Sequence, residues 1–425
     1  MNQRKESSLL GPYRVLDLSD EKGVLCGKVL ADLGADVIKV EPPGGDPMRH
    51  IGPFYHDEPD PEKSLYWFTF NTSKRSITLD ITRVEGQEIF KRLVRTADFI
   101  IECFPPGYLE GLGLGYSVLS EVNPRLVMTS ITAFGQSGPY RDYKACDIVG
   151  TAMGGLLYLV GETDRPPVRI RAQQAYAQAG VQAAAGTMVA HYYRELSGEG
   201  QHVDVSMQEA VSNTLDTTQQ AWDLQQMVYR RVGDSRPLGD RIRRTVFPCK
   251  DGYVACWAPE ELATVVEWMA EAEVDADWDE IAGWREWIEG RRAKYESGEL
   301  ALGELSTQEQ SEQIVNLRLP LLEKLTGKEL YEGALARDLG WAPVSTPKDL
   351  VENEQLAARN YFVEVEHPEL GTSITYPGAP YRLSETPWRI QNRAPQIGEH
   401  NEEIYVKELG IPQEELSALS DAQVI

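Results

Sequence analysis

The first third of the chain alternates short apolar, β-prone runs with helical segments, and this alternation strongly limits the folds open to it. Helical spacing of apolar residues covers Gly23–Leu33, and Glu85–Arg95 has the pattern of an amphipathic helix. Strands that alternate with helices of about a dozen residues favour an α/β fold with a parallel sheet and crossover helices. Strands are predicted at Tyr13–Leu18, Ala35–Glu41, Ser76–Leu79, Asp98–Glu102 and Asn123–Thr132.

The pattern continues as far as about residue 225 and then changes. Gln173–Arg194 is rich in alanine and predicts a long, closely packed, buried helix, and His202–Ser206 predicts a strand that opens onto another helix. Five of the nine tryptophans then lie between Trp257 and Trp287, among many acidic residues. A first domain at residues 1–225 and a smaller, mostly α-helical domain at 226–340 are therefore predicted. Strand and turn signals return from Gly340 onwards.

Composition excludes several classes of function. The chain has 425 residues, 66 acidic against 42 basic side chains and a net charge of −24. A surface this acidic disfavours nucleic acid and anionic membranes as partners, because both require a basic face. No apolar run reaches the roughly 18 residues of a membrane span, and the first residues lack the apolar stretch of a signal peptide. The five scattered cysteines are expected to be free thiols in a reducing cytoplasm.

Motif searches based on residue chemistry alone find no complete site. Neither CxxC nor HExxH occurs and the six histidines share no ligand spacing, so no metal site is predicted. The run from Gly23 to Lys28 is one residue short of a phosphate-binding loop, so Gly23 and Gly27 are interpreted as allowing close packing of the first helix. The GQSG at residues 135–138 lacks the spacing of a nucleophile elbow and predicts a turn. These patterns alone indicate an α/β protein of unknown function.

Taken together, several longer motifs resemble the class III CoA-transferase family, which also includes α-methylacyl-CoA racemases and carnitine-type CoA-transferases. The resemblance runs from residue 11 to about 415 and is weakest over 230–340. It is carried by LADLGADVIKVEPPGGDPMR (30–49), FNTSKRSITLDI (70–81), ADFIIECFPPGYLEGLGLGYSVLSEVNPRLV (97–127), AFGQSGPY (133–140), SGEGQHVDVSMQEA (197–210), VEVEHPELG (363–371) and APQIGEHN (394–401).

The resemblance implies an architecture and a chemistry. It implies a large doubly wound α/β domain, with residues 341–425 as a linker and a C-terminal segment that completes it, and two chains that interlock as a dimer. CoA and acyl-CoA are then substrates, and no cofactor is bound covalently. In this family an Asp attacks the acyl-CoA thioester to form a mixed anhydride and then an aspartyl-CoA thioester. Such steps require a side-chain carboxylate that can itself be acylated.

The chain departs from its family at the residues that carry this chemistry. The family's Asp lies four residues before a Gly at the start of the Ala-rich helix. Here that Gly is Gly180 and the position is Tyr176, with no acidic residue from Arg165 to His191. A phenol with an ordinary pKa near 10 offers no carboxylate. Racemases also use a His before an Asp, and here Cys146 occupies the position of that His, before Asp147.

Three further family features are missing. After the PG turn the family has a basic residue that serves CoA, and this chain has Gly111 there. Where a Lys can follow the LD step in the family, this chain has Thr82, with Arg83 beside it. The glycine-rich lid expected near the start of the small domain is absent from RVGDSRPLGDRIRRTVFP at 231–248. These losses predict a site that has lost its catalytic function while the fold was kept.

A few residues of a vestigial CoA site are nevertheless retained. The residues assigned to CoA binding are Gly23, Lys74, Arg75, Lys144 and Asp147. Each also has a structural interpretation that stays open at this point. Lys144 can be a solvated lysine at a helix start, and Lys74 and Arg75 can be ion-pair partners at a strand entry.

The leading hypothesis is that the chain is the non-catalytic, Asp-lacking subunit of a heteromeric CoA-transferase, partnered by an Asp-bearing sister in a dimer or dimer of dimers. Among such heteromers the resemblance is greatest to those that move CoA from succinyl-CoA onto an aryl-substituted succinate such as benzylsuccinate. Two alternatives remain. One is a homodimeric transferase or hydrolase that uses another carboxylate, Asp147 or Glu399, or water. The other is a protein that binds CoA esters without turnover.

Overall fold

The computed structural model describes residues 8–238, 241–257, 262–301 and 304–425. The chain forms two compact units. The large unit comprises the residues up to Leu157, Arg169–Met227 and Glu354–Ile425, and the small unit comprises Tyr158–Val168 and Val228–Asn353. The domain limits 1–225, 226–340 and 341–425 stay a prediction.

A six-stranded parallel sheet forms the centre of the large unit, as the alternation of strands and helices predicts. The strand order is β3-β2-β1-β4-β5-β6, so the chain winds outward in both directions from the β1–β4 pair. The predicted α/β, doubly wound architecture is therefore confirmed. The strands are β1 (Arg14–Leu18), β2 (Asp36–Glu41), β3 (Arg75–Thr78), β4 (Phe99–Glu102), β5 (Val127–Thr132) and β6 (His202–Ser206).

Helices cover both faces of this sheet because successive strand residues point to opposite sides. In β1, Val15 faces a core shared with the first and the long helix, whereas Leu16 faces a second core on the other side. The helices of the large unit are α1 (Val24–Asp32), α2 (Leu65–Phe70), α3 (Val84–Val94), α4 (Tyr108–Gly111), α5 (Tyr116–Val122), α6 (Asp147–Met153), α7 (Gln174–Ser197), α8 (Met207–Ser212) and α9 (Thr218–Gln225).

The long helix α7 is buried on one face only, which corrects the prediction of a buried helix. Its small residues pack inward: a Cβ added at Gly180 would lie 2.9 Å from the Cβ of Leu25 on α1. The opposite face carries exposed Val189, Tyr192 and Leu196. Alanines and glycines allow the inner face to approach the sheet closely, and the larger apolar residues lie on the outer face. The composition of the segment is apolar throughout, so it does not show which face is buried.

The C-terminal part of the chain closes the edge of the sheet at β3. The backbone N–H of His400 donates to the carbonyl of Ser76 at 2.9 Å, and Asn401 Oδ1 accepts the Thr78 N–H at 3.0 Å. Tyr405 then donates its hydroxyl to the Thr78 carbonyl at 2.7 Å. The chain makes a π-helix at Glu402–Glu408. The remaining elements of this unit are α16 (Glu354–Ala358), α17 (Gln413–Asp421) and the antiparallel pair β12 (Phe362–His367) and β13 (Thr372–Pro377).

The small unit has its own core around Phe247, Trp268 and Trp341. In the described part of this unit, six α-helices pack with a three-stranded antiparallel sheet, β11-β10-β9, and a separate strand pair, β7–β8. The strands are β7 (Ser235–Leu238), β8 (Arg241–Arg244), β9 (Val246–Cys249), β10 (Gly252–Trp257) and β11 (Gly340–Pro343). The helices are α10 (Leu262–Glu271), α11 (Trp278–Glu296), α12 (Gln308–Asn316), α13 (Leu319–Lys324), α14 (Gly327–Leu335) and α15 (Pro347–Val351).

Within the described ranges, no helix combines the length and apolar character that crossing a bilayer demands.

Candidate active site

The winding direction of the sheet reverses between β1 and β4, and in open α/β sheets the crevice at such a point, outside the carboxyl ends of the strands, is where ligands bind. The turn after β1 and the residues after β4 meet here: a Cβ added at Gly23 would lie 2.6 Å from Cys103 Sγ and 2.6 Å from Ile131 Cδ1. Gly23 therefore allows close packing of the first helix, which is one of the two interpretations of this residue from the sequence. Its assignment to CoA binding stays a prediction.

Asp147 and Tyr176 are brought together where α7 begins. Asp147 is buried at the start of α6, and its Oδ1 accepts the backbone N–H groups of Ala175 at 2.9 Å and of Tyr176 at 3.4 Å. The first N–H groups of a helix have no partner within the helix, and a carboxylate there also interacts favourably with the helix dipole. Asp147 thus caps α7 from another helix, which gives this residue a structural role.

The Tyr176 side chain points to the turn after β1. Its hydroxyl lies 3.2 Å from Glu21 Oε1, and the residue is almost completely buried. Burial, together with the negative charge of Glu21, raises the pKa of Tyr176 well above the ordinary value for a phenol. The side chain therefore stays protonated at neutral pH and donates its hydrogen to the carboxylate, so it is a poor nucleophile.

Glu21 and Tyr176 line a cleft of about 440 Å³. Tyr66 forms part of the wall and donates its hydroxyl to Gln173 Oε1 at 2.7 Å. Positive charge is supplied by Arg169 and Arg171, and Arg169 lies 3.9 Å from Asp147 Oδ2. The cleft combines aromatic walls, two guanidinium groups and the hydrogen-bonded Glu21–Tyr176 pair, a combination suited to holding an anion with an apolar part.

Lys74 is directed into the protein interior. Its Nζ lies 2.8 Å from Asp17 Oδ2 and 3.0 Å from Asn71 Oδ1, and its side chain has no exposed surface. Asp17 also faces Lys39 at 3.8 Å. Although burial opposes it, the ammonium groups of Lys74 and Lys39 hold the pKa of Asp17 below its ordinary range. These contacts support the ion-pair interpretation of Lys74.

Arg75 lies at the other end of the sheet, at the start of β3. It binds Asp36, the first residue of β2, through Nε at 2.9 Å and through its second terminal nitrogen at 2.7 Å. Its remaining nitrogen contacts Glu408 at 2.6 Å. Arg75 therefore joins the amino ends of two strands to the C-terminal segment, far from the carboxyl ends. Its assignment to CoA binding stays a prediction that this placement does not favour.

The other sequence-selected residues are dispersed. Lys144 is exposed in the loop before α6, and Cys146 is an exposed thiol that directly precedes this helix. Glu399 pairs with Arg393 at 2.9 Å and accepts the Gln396 N–H. Gly111 ends α4, and no atom of the described residues lies within 4 Å of a Cβ added there, so a basic side chain would fit at this position.

The segment in which a glycine-rich lid is missing contains β7, β8 and the start of β9. One of its two isolated glycines, Gly239, lies outside the described residues.

Glu21 is the residue that the motif analysis missed. It lies in the SDEKG turn directly after β1, and an acidic residue at the carboxyl end of a central parallel strand is a signal that could have identified it. Its contact with Tyr176, 155 residues away, depends on the tertiary fold and has no local pattern.

Glu102, the last residue of β4, also faces the carboxyl end of the sheet. It accepts the Phe104 N–H at 2.7 Å, and burial raises its pKa to about 7. Since this value lies above that of an unfolded Glu, the wild-type protein loses stability as the pH rises from about 4.5 to 7. Glu102→Gln should therefore gain stability relative to wild type between pH 5 and pH 8, by roughly 2–3 kcal/mol.

Urea unfolding at the two pH values measures this gain. Glu88→Gln, on the exposed side of α3, serves as the matched control and should change equally at both pH values. A constant difference between Glu102→Gln and wild type would contradict a raised pKa at Glu102.

Comparison with known proteins identifies the family. The family model described as CoA-transferase family III matches residues 10–401. The chain belongs to this family. One relative is the BbsE subunit of succinyl-CoA:(R)-benzylsuccinate CoA-transferase from Thauera aromatica. It is 37% identical over 421 residues, which cover 96% of each chain. A formyl-CoA:oxalate CoA-transferase from Streptomyces coelicolor is 34% identical and covers 97% of this chain and 98% of its own.

Solved structures of similar proteins share the fold. A CaiB/BaiF family protein from Brucella suis superposes with a TM-score of 0.76 at 27% identity and covers 93% of this chain and 98% of its own. Rv3272 from Mycobacterium tuberculosis gives a TM-score of 0.68 at 26% identity with the same coverage. The protein is therefore of the CoA-transferase type, and CoA thioesters are the substrates of its family.

Proposed function

We propose that this CoA-transferase family III chain is the non-catalytic subunit of a cytoplasmic heteromer that moves CoA between succinyl-CoA and an aryl-substituted succinate such as benzylsuccinate. The main support is Tyr176, which the resemblance places where the family carries its nucleophilic Asp. Similarity to the Thauera aromatica subunit, which is named for this reaction, supports the substrate class.

The chemistry of Tyr176 argues against covalent transfer through this residue. A carboxylate attacks a thioester to give a mixed anhydride, and the released CoA thiolate then attacks the carbonyl carbon that belonged to the side chain. A phenol oxygen carries no such carbonyl carbon, so the aspartyl-CoA intermediate has no counterpart at Tyr176. The raised pKa further lowers the population of phenolate.

The carboxylates named as substitutes in the sequence analysis are engaged in other contacts. Asp147 caps α7 through two backbone N–H groups, and Glu399 is held by Arg393. Acylation of Asp147 would leave N–H donors at the start of α7 without their acceptor, and acylation of Glu399 would break its ion pair with Arg393. Both are therefore poor candidates for a nucleophile in this chain.

Glu21 supports a second candidate function, a homodimeric acyl-CoA transferase or hydrolase with a non-standard carboxylate. It is the carboxylate hydrogen-bonded to Tyr176, and it lines the same cleft. In that case Tyr176 would orient the nucleophile. Glu21→Gln keeps the size and hydrogen-bonding capacity of the side chain while removing the nucleophile, so it distinguishes the two proposals.

The expected partner is an Asp-bearing sister subunit, in an interlocked dimer or dimer of dimers. The names of two relatives support a heteromer: the Thauera aromatica protein is a subunit, and a 31% identical protein from Chloroflexus aurantiacus is the beta subunit of a succinyl-CoA–L-malate CoA-transferase. The exposed apolar face of α7 offers a surface for such a partner.

Native mass spectrometry of the protein isolated from its own cells tests the proposal. We expect a complex with a second chain of similar size, and CoA exchange between succinyl-CoA and benzylsuccinate by that complex. A homodimer that exchanges CoA, and loses this activity in Glu21→Gln, would support the second candidate. A chain that binds CoA with no sister and no turnover would favour a CoA-ester binding protein.

A further inference from the structure

The small unit contains a cleft that no step of the proposed reaction uses. Its volume is about 650 Å³, within the range of pockets that hold small organic ligands. The lining comes from β8, α10, α11, α12 and the residues around them, all within the small unit. It is therefore a separate cleft from the one at Tyr176.

Much of the wall is apolar or aromatic. Leu262 and Val265 contribute from α10, Trp287 and Ile288 from α11, and Ile314 from α12. Apolar surface that lines an open cleft stays in contact with water, and covering it with an apolar ligand body is favourable. The walls thus favour a ligand with a ring or a hydrocarbon chain over a small hydrated ion.

The polar part of the lining is strongly cationic. Among the residues that the structure describes, the cleft is lined by five guanidinium groups and one carboxylate, that of Glu289, whereas the whole chain carries 66 acidic and 42 basic residues. This local excess is the reverse of the overall charge balance. Guanidinium groups match the two oxygens of a carboxylate in geometry and charge. The arginines are Arg243, Arg285, Arg291, Arg292 and Arg318.

Two of these arginines, Arg243 and Arg318, influence each other electrostatically. Arg318 is 4% exposed and donates from Nε to the Val315 carbonyl at 2.8 Å. Burial lowers its pKa to about 10, and the positive charge of Arg243 contributes in the same direction. Cys256 hydrogen-bonds Arg318 and opposes this lowering of the pKa, and an anion bound beside the two guanidinium groups would offset their repulsion further.

We propose that the cleft of the small unit binds a small organic carboxylate with an aromatic or aliphatic body. The guanidinium groups bind the carboxylate, and Trp287, Ile288 and Ile314 cover the body. Inorganic phosphate has no apolar part to cover these walls and binds more weakly. This site is independent of the proposed transferase function, because it shares no residue with the Tyr176 cleft.

Isothermal titration of the purified full-length protein tests the proposal with 3-phenylpropanoate. We expect saturable binding of this acid, no detectable binding of 3-phenylpropanol, which has the same ring without the charge, and at least tenfold weaker binding of inorganic phosphate. Equal affinity for the acid and the alcohol, or for the acid and phosphate, would overturn the proposed chemistry of the ligand.

Variants locate the site. Arg285→Gln should weaken binding of the acid about tenfold to a hundredfold, since it loses a charge-assisted hydrogen bond. Arg291→Gln should also weaken binding, and it additionally removes the hydrogen bonds from Arg291 to the backbone carbonyls of Leu305 and Glu304. Ala263→Trp should abolish binding by filling the cleft. Lys328→Gln removes the same charge from an exposed position of the small unit, outside the cleft, and should leave the affinity unchanged.

Unfolding curves confirm that each variant is folded. Binding that survives all three cleft substitutions, or that is lost in Arg171→Gln instead, would place the acid elsewhere and overturn the proposal. Transferase activity is not a readout in these titrations, so a failure here and a failure of the proposed function are distinguishable.

Discussion

Incubated alone with succinyl-CoA and benzylsuccinate, the purified chain should exchange no CoA above the uncatalysed background. Ordinary enzymes turn over at roughly 1–1,000 per second, so the expected loss spans several orders of magnitude. The physical reason is that Tyr176 has no carbonyl carbon to accept CoA and that Asp147 is used to cap α7. Chromatographic separation of the CoA esters over time measures the exchange.

Tyr176→Asp on its own should not restore turnover. The new carboxylate would lie close to Glu21, and two neighbouring carboxylates raise each other's pKa, which disfavours the ionised nucleophile. The basic residue expected at Gly111 would still be missing. Tyr176→Phe is the matched control, because it keeps the ring and removes only the hydroxyl. Turnover by the wild-type chain at an ordinary enzyme rate would contradict the proposed non-catalytic role.

Asp17→Asn should destabilise the large unit by roughly 3–5 kcal/mol, because the change leaves the buried ammonium group of Lys74 without its carboxylate, whereas Lys39 keeps Asp46 at 3.1 Å. Asp17 lies 2.8 Å from Lys74 Nζ and 3.8 Å from Lys39 Nζ, and none of the three side chains has exposed surface. The substitution preserves side-chain size, so the lost charge accounts for the effect. The midpoint of urea unfolding measures it.

Lys407→Gln provides the control for Asp17→Asn. Its ion pair with Glu402, at 3.4 Å, is about two-thirds exposed on both sides, and such surface pairs contribute about 0–1 kcal/mol. We expect a change of less than about 0.5 kcal/mol for this variant. A stability of Asp17→Asn within 1 kcal/mol of wild type would contradict the structural importance of the buried cluster.

The parallel sheet could be predicted because apolar strand residues are a local pattern, and the strands lie close to their predicted positions. The polar residues were harder to interpret. Lys74 and Arg75 are adjacent, yet they point to opposite faces of the sheet, Lys74 towards Asp17 and Arg75 towards Asp36 and Glu408. Adjacent residues at the start of a strand point to opposite faces, so assigning both lysine and arginine to one CoA site did not take this alternation into account.

In the candidate site too, local patterns could be predicted from the sequence and contacts between distant residues could not. The position of Tyr176 near the start of α7 follows from the helical pattern around it. Its contact with Glu21 joins residues that are far apart in the chain and depends on how α7 packs against the turn after β1. Asp147 was selected for a CoA site, which stays a prediction. Its capping of α7 could not be predicted, because the unpartnered N–H groups of a helix terminus become visible only when α6 and α7 are placed in space.

Closure of the sheet edge by residues 400–405 has a consequence for biosynthesis. Strand β3 is translated early, but its partners His400 and Asn401 emerge from the ribosome more than 300 residues later. Until then, the N–H and C=O groups on that side of β3 form an open edge on which another chain can pair. The large unit therefore cannot fold completely until translation reaches its C-terminal segment. We expect chaperones to matter most for this protein while the edge of β3 is still open.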